Sequence, residues 1–143
     1  MRAARPGGML RPMVVRLLIV DDNERFLAAS RAILQRQGLE VIAVARSTAE
    51  GLLQAQLLRP DLVLVDIGLG ADSGFELARQ LASEEDTADL NVILISTHAE
   101  DDFAELIRES PAVGFVSKWE LSRFAIESVL RRFPRDRCED APG

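Results

Sequence analysis

A chain of 143 residues, 48% apolar and 28% charged, is long enough to bury a core of its own as one domain. Its formal net charge of −6 argues against nucleic acid or an anionic membrane as the main partner, since both demand clustered Lys and Arg. A single cysteine, Cys138, and a single histidine, His98, exclude an intrachain disulfide and a Cys/His metal centre, and make the reducing cytoplasm the simplest setting.

Residues 1–13 carry Arg2, Arg5 and Arg11 with Pro6 and Pro12, and resemble the basic head of a signal peptide. The apolar run that follows is broken by Arg16 and ends in Asp21-Asp22, which speaks against a cleaved signal or a membrane span. The segment reads as a flexible lead-in, with Met9 and Met13 as alternative starts of translation. Residues 14–20 form the first strand-like run, and Asp21-Asp22-Asn23 offer N-caps for a helix over residues 24–37. There Phe26, Ala29, Ile33 and Leu34 share one face, and Gly38 stops the helix. Residues 41–45 are the second apolar run. Ser47-Thr48-Ala49-Glu50 has capping-box spacing and opens a helix that Pro60 closes.

Residues 62–66 read as a buried third strand that ends on one carboxylate, Asp66, after which Gly68 and Gly70 let the chain turn away. Ser73-Gly74-Phe75-Glu76 repeats the capping-box pattern before a helix through Leu77 and Leu81. Residues 92–95 form the fourth strand, ending at Ser96-Thr97. A helix over residues 100–109 is expected to bury Phe103, Leu106 and Ile107. Residues 113–116 form the fifth strand, ending at Ser117-Lys118. The last helix, residues 119–133, has Leu121, Phe124, Ala125, Ser128 and Val129 as its expected inner stripe. Residues 134–143 read as a flexible polar tail, so the domain runs over residues 14–133.

Five short apolar runs alternating with five helical patterns predict an α/β fold, a doubly wound parallel sheet with helices on both faces. In such a sheet every strand end that precedes a helix lies on one edge, the edge where ligands bind. Asp21, Asp22, Asp66, Ser96 and Lys118 all occupy that position. Two carboxylates about 5 Å apart repel by roughly 3 kcal/mol at an effective dielectric near 20, so three converging acids call for a cation. Oxygen donors without softer ligands favour Mg²⁺, which takes one or two carboxylates together with a phosphate oxygen; a backbone carbonyl near Gly68 is a further donor. A carboxylate can attack phosphorus, and Asp66 is the candidate nucleophile. Lys118 can pair with phosphate oxygens and the Ser96 hydroxyl can donate to one. Taken singly, Asp21-Asp22 are better explained as helix caps and Phe115 equally well as core; it is the joint placement of the acids, Ser96 and Lys118 on one rim that points to a site.

The set Asp21-Asp22, Asp66, Ser96 and Gly114-Phe115-Val116-Ser117-Lys118 resembles the receiver domain of bacterial two-component response regulators, over nearly the whole chain. The resemblance implies the flavodoxin-like strand order 2-1-3-4-5. It implies a Mg²⁺ site at Asp21, Asp22, Asp66 and the Gly68 carbonyl, phosphoacceptance at Asp66, a phosphate-pairing Lys118, and Ser96 and Phe115 as the switch pair. It also implies phosphate from a sensor histidine kinase or phosphotransfer protein, with no catalysis beyond the chain's own phosphorylation and dephosphorylation. The expected readout face is residues 100–133, also a candidate dimer surface with an unidentified downstream protein as target. The expected form is a stand-alone, CheY-like receiver without a DNA-binding domain or a membrane segment.

Several positions depart from the family pattern. Lys118-Trp119 stands where many members have Lys-Pro, and a cis bond before Trp would cost about 2.5–4 kcal/mol, so a trans bond is expected. Thr97 replaces a frequent alanine, and Gly70 a frequent proline, which predicts a looser turn. In that family the positions two residues beyond the acceptor and the switch hydroxyl, here Gly68 and His98, flank the path of the attacking water; the resemblance thus makes His98 a candidate gating residue, and the bulk of Thr97 makes it another. The main alternative is a phosphorylation-independent interaction module on the same fold. An aspartyl-phosphate hydrolase expects an Asp where Gly68 stands, and flavin binding expects a phosphate-cradling loop where Asp21-Asp22 stand.

Overall fold

The computed structural model describes residues 15–132; the expectations for residues 1–13, Val14, Phe133 and residues 134–143 lie outside them. Five strands, β1 (Arg16–Val20), β2 (Glu40–Ala45), β3 (Leu62–Asp66), β4 (Asn91–Ser96) and β5 (Gly114–Ser117), pair in parallel in the order β2-β1-β3-β4-β5. This is the doubly wound α/β sheet and the strand order expected. Helices α1 (Glu24–Arg36) and α5 (Arg123–Arg132) cover one face, where Leu27, Leu34, Ile126 and Val129 pack on Leu17, Ile19, Leu64 and Ile95. Helices α2 (Thr48–Leu58) and α3 (Gly74–Ser83) cover the other, where Ala55, Phe75, Leu77 and Leu81 pack on Leu18, Val20, Val63 and Val65. Being central, β3 is buried at every position, which is why its residues up to Asp66 are apolar without alternation.

Local chemistry sets the helix ends. Asn23 caps α1 by accepting from the Phe26 N–H, and Ser47 caps α2 by accepting from that of Glu50. Gly38, just past α1, has φ +97°, the left-handed conformation that ends helices without a Cβ penalty. At Ser73 only part of the expected capping box forms: its hydroxyl accepts from Phe75, while Glu76 pairs with Arg79.

Three packing expectations are corrected. On α1 the buried positions are Leu27, Ser30 and Leu34, with Ile33 and Ala29 exposed. Ser30 can face inward because its hydroxyl bonds back to the carbonyls of Phe26 and Leu27. The helix expected over residues 100–109 is a 3₁₀ turn, Glu100–Phe103, followed by a short α4 (Ala104–Glu109). Ala99 provides no side-chain cap, and a helix this short leaves Leu106 exposed while Phe103 and Ile107 reach the core.

The last helix is preceded by a 3₁₀ turn at Lys118–Glu120 and begins at Arg123. Its inner residues are Ile126 and Val129, whereas Phe124 is 73% exposed. The rotation follows from its anchor: the Arg123 N–H donates to the Gln37 side chain, and its guanidinium to the Gln37 carbonyl, at the end of α1. The turn after Asp66, expected to be loose, folds as a two-stranded antiparallel ribbon of Gly68–Leu69 with Asp72–Ser73.

Candidate functional site

The carboxyl ends of β1 and β3 lie side by side at the centre of one sheet edge, and Lys118, just past β5 at the margin of the sheet, reaches across to them. Asp21, directly after β1, is held there by its own N–H, which donates to the Ala45 carbonyl. Its side chain is fully buried; Oδ1 accepts from the Asn23 N–H at 2.8 Å. Asp66 closes β3 and is nearly buried, while Asp22 is exposed. Carboxylate oxygens of the three lie within 4.8 Å of one another. Two glycines permit this crowding. A Cβ on Gly74 would stand 2.1 Å from the Asp66 backbone oxygen, and a Cβ on Gly70, where φ is +64°, would stand 3.1 Å from Asp22 Oδ2. Beside Gly68 a Cβ would meet nothing within 4 Å, so that flank of Asp66 is open.

One cation is built into the cluster. Lys118 Nζ lies 2.5 Å from Asp21 Oδ2 and 3.5 Å from Asp66 Oδ2, and its side chain is 10% exposed. The same ammonium sits 4.4 Å from the centre of the Phe26 ring. Asp21 Oδ2 has no hydrogen bond of good geometry, so the ion pair is its main compensation. Burial, and then the charge of Asp21, raise the Asp66 carboxyl from 3.8 to about 6, against the opposing pull of Lys118 and the Gly68 N–H. Three acids facing one ammonium are under-neutralised. Oxygen-only donors around that deficit fit a hard divalent cation such as Mg²⁺, with Asp21, Asp22 and Asp66 as its ligands.

Ser96 ends β4, one residue beyond the register partner of Asp66. It is buried, and its hydroxyl accepts from the His98 N–H at 3.0 Å with the His98 Nδ1 3.5 Å away. The His98 ring meets Phe103 edge-on at 5.8 Å, and Phe103 in turn packs near Phe75. Phe115, on β5, is half-buried against the α2–α3 side of the core. Thr97 and His98 are exposed. The Lys118–Trp119 bond is trans, and the exposed indole of Trp119 donates to the Thr97 carbonyl at 3.2 Å. That bond ties the loop after β5 to the loop after β4.

A model of the response regulator receiver domain matches residues 17–128. The chain belongs to this family. It is 33% identical over 106 residues to the polar-differentiation response regulator DivK of Brucella ovis, covering 74% of this chain and 85% of that protein. It is 33% identical over 105 residues to a putative transcriptional regulator of Pseudomonas aeruginosa, covering 73% of this chain but only 50% of that protein. The chain thus spans about half the length of several relatives it matches, a response regulator GacA of Pseudomonas viridiflava among them. Among solved structures, a CheY-like receiver of Methanospirillum hungatei superposes with a TM-score of 0.72 at 24% identity, over 90% of this chain and 100% of that one. A Burkholderia pseudomallei response regulator with a phosphorylated aspartic acid, a calcium ion and citrate superposes with a TM-score of 0.68 at 26% identity, over 87% of this chain and 69% of that one. Receiver domains are signalling domains that generally use Mg²⁺.

Sequence reasoning placed Phe26 on one helix face with Ala29, Ile33 and Leu34 and missed its place over the ammonium. It also passed over a compositional signal: Lys118 is the only lysine among 17 basic residues. A chain that uses arginine at every other basic position keeps the compact ammonium where two carboxylates and a ring close in, a space poorly suited to a planar guanidinium.

Proposed function

We propose that this receiver accepts a phosphoryl group on Asp66 from a sensor histidine kinase or phosphotransfer protein, with Mg²⁺ held by Asp21, Asp22, Asp66 and the backbone carbonyl of Gly68. The observation that carries this reading is the convergence of three carboxylates with Lys118 around an open flank of Asp66. The phosphorylated aspartic acid of the Burkholderia relative supports it. An Asp66 carboxylate oxygen forms the new bond to phosphorus. The bond to the donor's imidazole nitrogen, or to the oxygen of a small acyl phosphate, breaks and the electron pair leaves with the donor. The bound ion supplies charge neutralisation between carboxylates and phosphoryl oxygens. Lys118 pairs with one such oxygen and Ser96 donates to another. Thr97 and His98 border the approach and set how long the acyl phosphate lasts.

The modification adds about −1.5 to −2 charges next to two acids. Ser96, drawn to the phosphoryl group, gives up the His98 N–H, and Phe115 turns into the space released. The readout face is then the region of residues 100–133. There Phe115, Phe124, Ala125, Ser128 and Val129 line a groove of about 550 Å³, suited to a downstream protein or a second copy. Incubation with acetyl phosphate and Mg²⁺ should add one phosphoryl group per chain, abolished by EDTA and by Asp66→Asn. Undiminished labelling of that variant would remove Asp66 from the role.

One observation favours the second reading, a phosphorylation-independent module. The Trp119–Thr97 bond already ties together the two loops that a switch must move. Partner binding that is identical with and without acetyl phosphate would select it.

A further inference from the structure

Lys118 has two carboxylate neighbours, and the closer is not Asp66. Its ammonium lies 2.5 Å from Asp21 and 3.5 Å from Asp66. Asp21 therefore serves two purposes, as partner of the lysine and as a member of the cluster fitted for a cation, and it cannot give its full charge to both. Phe26 has no such conflict. Its ring face carries the negative end of the π quadrupole and attracts an ammonium within about 6 Å; here the distance is 4.4 Å.

The ring is also fixed relative to the acids. The Asn23 N–H donates to Asp21, and the Asn23 side chain accepts from the Phe26 N–H at 3.1 Å. A chain of two hydrogen bonds thus sets the first turn of α1, and with it the ring, against the acid cluster. Lysine is flexible over its four-carbon stem and compact at its tip, so without a second contact its tip is free to wander wherever Asp21 leads it.

We propose that Phe26 is a positioning residue for Lys118. By a cation–π contact it keeps the chain's only lysine within reach of Asp66 and so accelerates acyl-phosphate formation. This inference rests on the reading of Asp66 as phosphoacceptor. It adds a role for a side chain that is not a member of the acid cluster.

The single lysine makes the test clean, because protein grown with ¹³C-lysine gives one set of side-chain resonances. In the unaltered chain the ring current of Phe26 shifts the Lys118 Hε protons upfield, and cross-relaxation links them to the ring protons. In Phe26→Leu, which keeps an apolar side chain of similar reach, the upfield shift is lost. The rate of labelling by acetyl phosphate with Mg²⁺ falls roughly three- to thirtyfold, the range that partly to fully desolvated cation–π contacts span. Phe26→Tyr, which keeps the ring face, restores both.

Absence of the upfield shift and of cross-relaxation in the unaltered chain overturns the inference without recourse to any variant. So does a labelling rate in Phe26→Leu equal to that of the unaltered chain, or a failure of Phe26→Tyr to restore it. Phe26 alone is then at fault, since the unaltered chain is labelled. If the unaltered chain is not labelled at all, the reading of Asp66 falls, and the kinetic role of Phe26 falls with it.

Discussion

Replacing Asp66 by Asn should make the protein more stable at neutral pH, an outcome opposite to that of most substitutions at buried polar positions. Burial and the charge of Asp21 raise the Asp66 carboxyl from 3.8 to about 6. At about 1.36 kcal/mol per pH unit, ionised Asp66 disfavours the fold by about 3 kcal/mol relative to its neutral form. The side chain is only 12% exposed, so solvent screening removes little of this. Asn keeps the shape and removes the charge, but it also takes one partner from Lys118, so the expected gain is about 1–3 kcal/mol. In melting temperature that is roughly 4–10 °C for a chain of this size.

The sign fixes the pH window. The folded state binds the Asp66 proton more tightly than the unfolded state does. The penalty is therefore complete above about pH 6 and absent below pH 3.8. Urea unfolding in EDTA at pH 7.5 should show Asp66→Asn ahead, and the lead should shrink through pH 6 and vanish near pH 4. An Asn variant no more stable than the unaltered chain at pH 7.5, or a lead that persists at pH 4, would refute the argument that this acid is held ionised at a cost.

Three further outcomes follow from the same geometry. Gly74→Ala places a Cβ 2.1 Å from the Asp66 backbone oxygen, and since backbone cannot move aside cheaply the loss should reach about 3 kcal/mol or more, read by urea unfolding. Gly70→Ala forces a side chain into φ +64° and toward Asp22; about 1–2 kcal/mol of stability and part of the Mg²⁺ affinity should go together, the latter read from the emission of Trp119. Asp22→Ala, at an exposed position, should leave stability in EDTA within about 0.5 kcal/mol. It should also remove the stabilisation that Mg²⁺ at a hundredfold excess over its Kd gives the unaltered chain, about 2.7 kcal/mol.

The sheet was legible because its signals are local. Residues 62–65 are apolar without alternation since both faces are covered, and Asn23, Ser47 and Gly38 stand at helix ends for reasons visible in a few neighbouring residues. What failed was helix phase. On α1 and α5 the apolar residues are spread widely enough to fit several faces, and contacts far along the chain choose among them. Arg123 docks on Gln37, 86 residues away, and turns Ile126 inward and Phe124 out. The rim acids were legible for the same reason as the strands, since each follows an apolar run. The partners of Lys118 were not, because a parallel sheet brings its strand ends together without leaving a trace of their distances in the sequence.

Those distances bear on how a switch on this fold would work. Of the two groups assigned to a phosphoryl oxygen, Lys118 is held nearer to Asp21 than to Asp66, and the Ser96 hydroxyl is held by the His98 N–H. Each must leave a partner to reach the new one, so the free energy of switching is a difference between two sets of contacts and not the strength of one. Lys118 leaves an ion pair with a buried acid, a contact worth several kcal/mol to break unless Asp21 is compensated at the same moment. Ser96 leaves a neutral hydrogen bond, worth about 0.5–1.5 kcal/mol. The lysine is therefore the stiffer half of the pair, and neutralisation of Asp21 is the step on which its release depends. Changes around His98 should tune the switch gently, whereas changes around Asp21 and Phe26 should govern whether it operates.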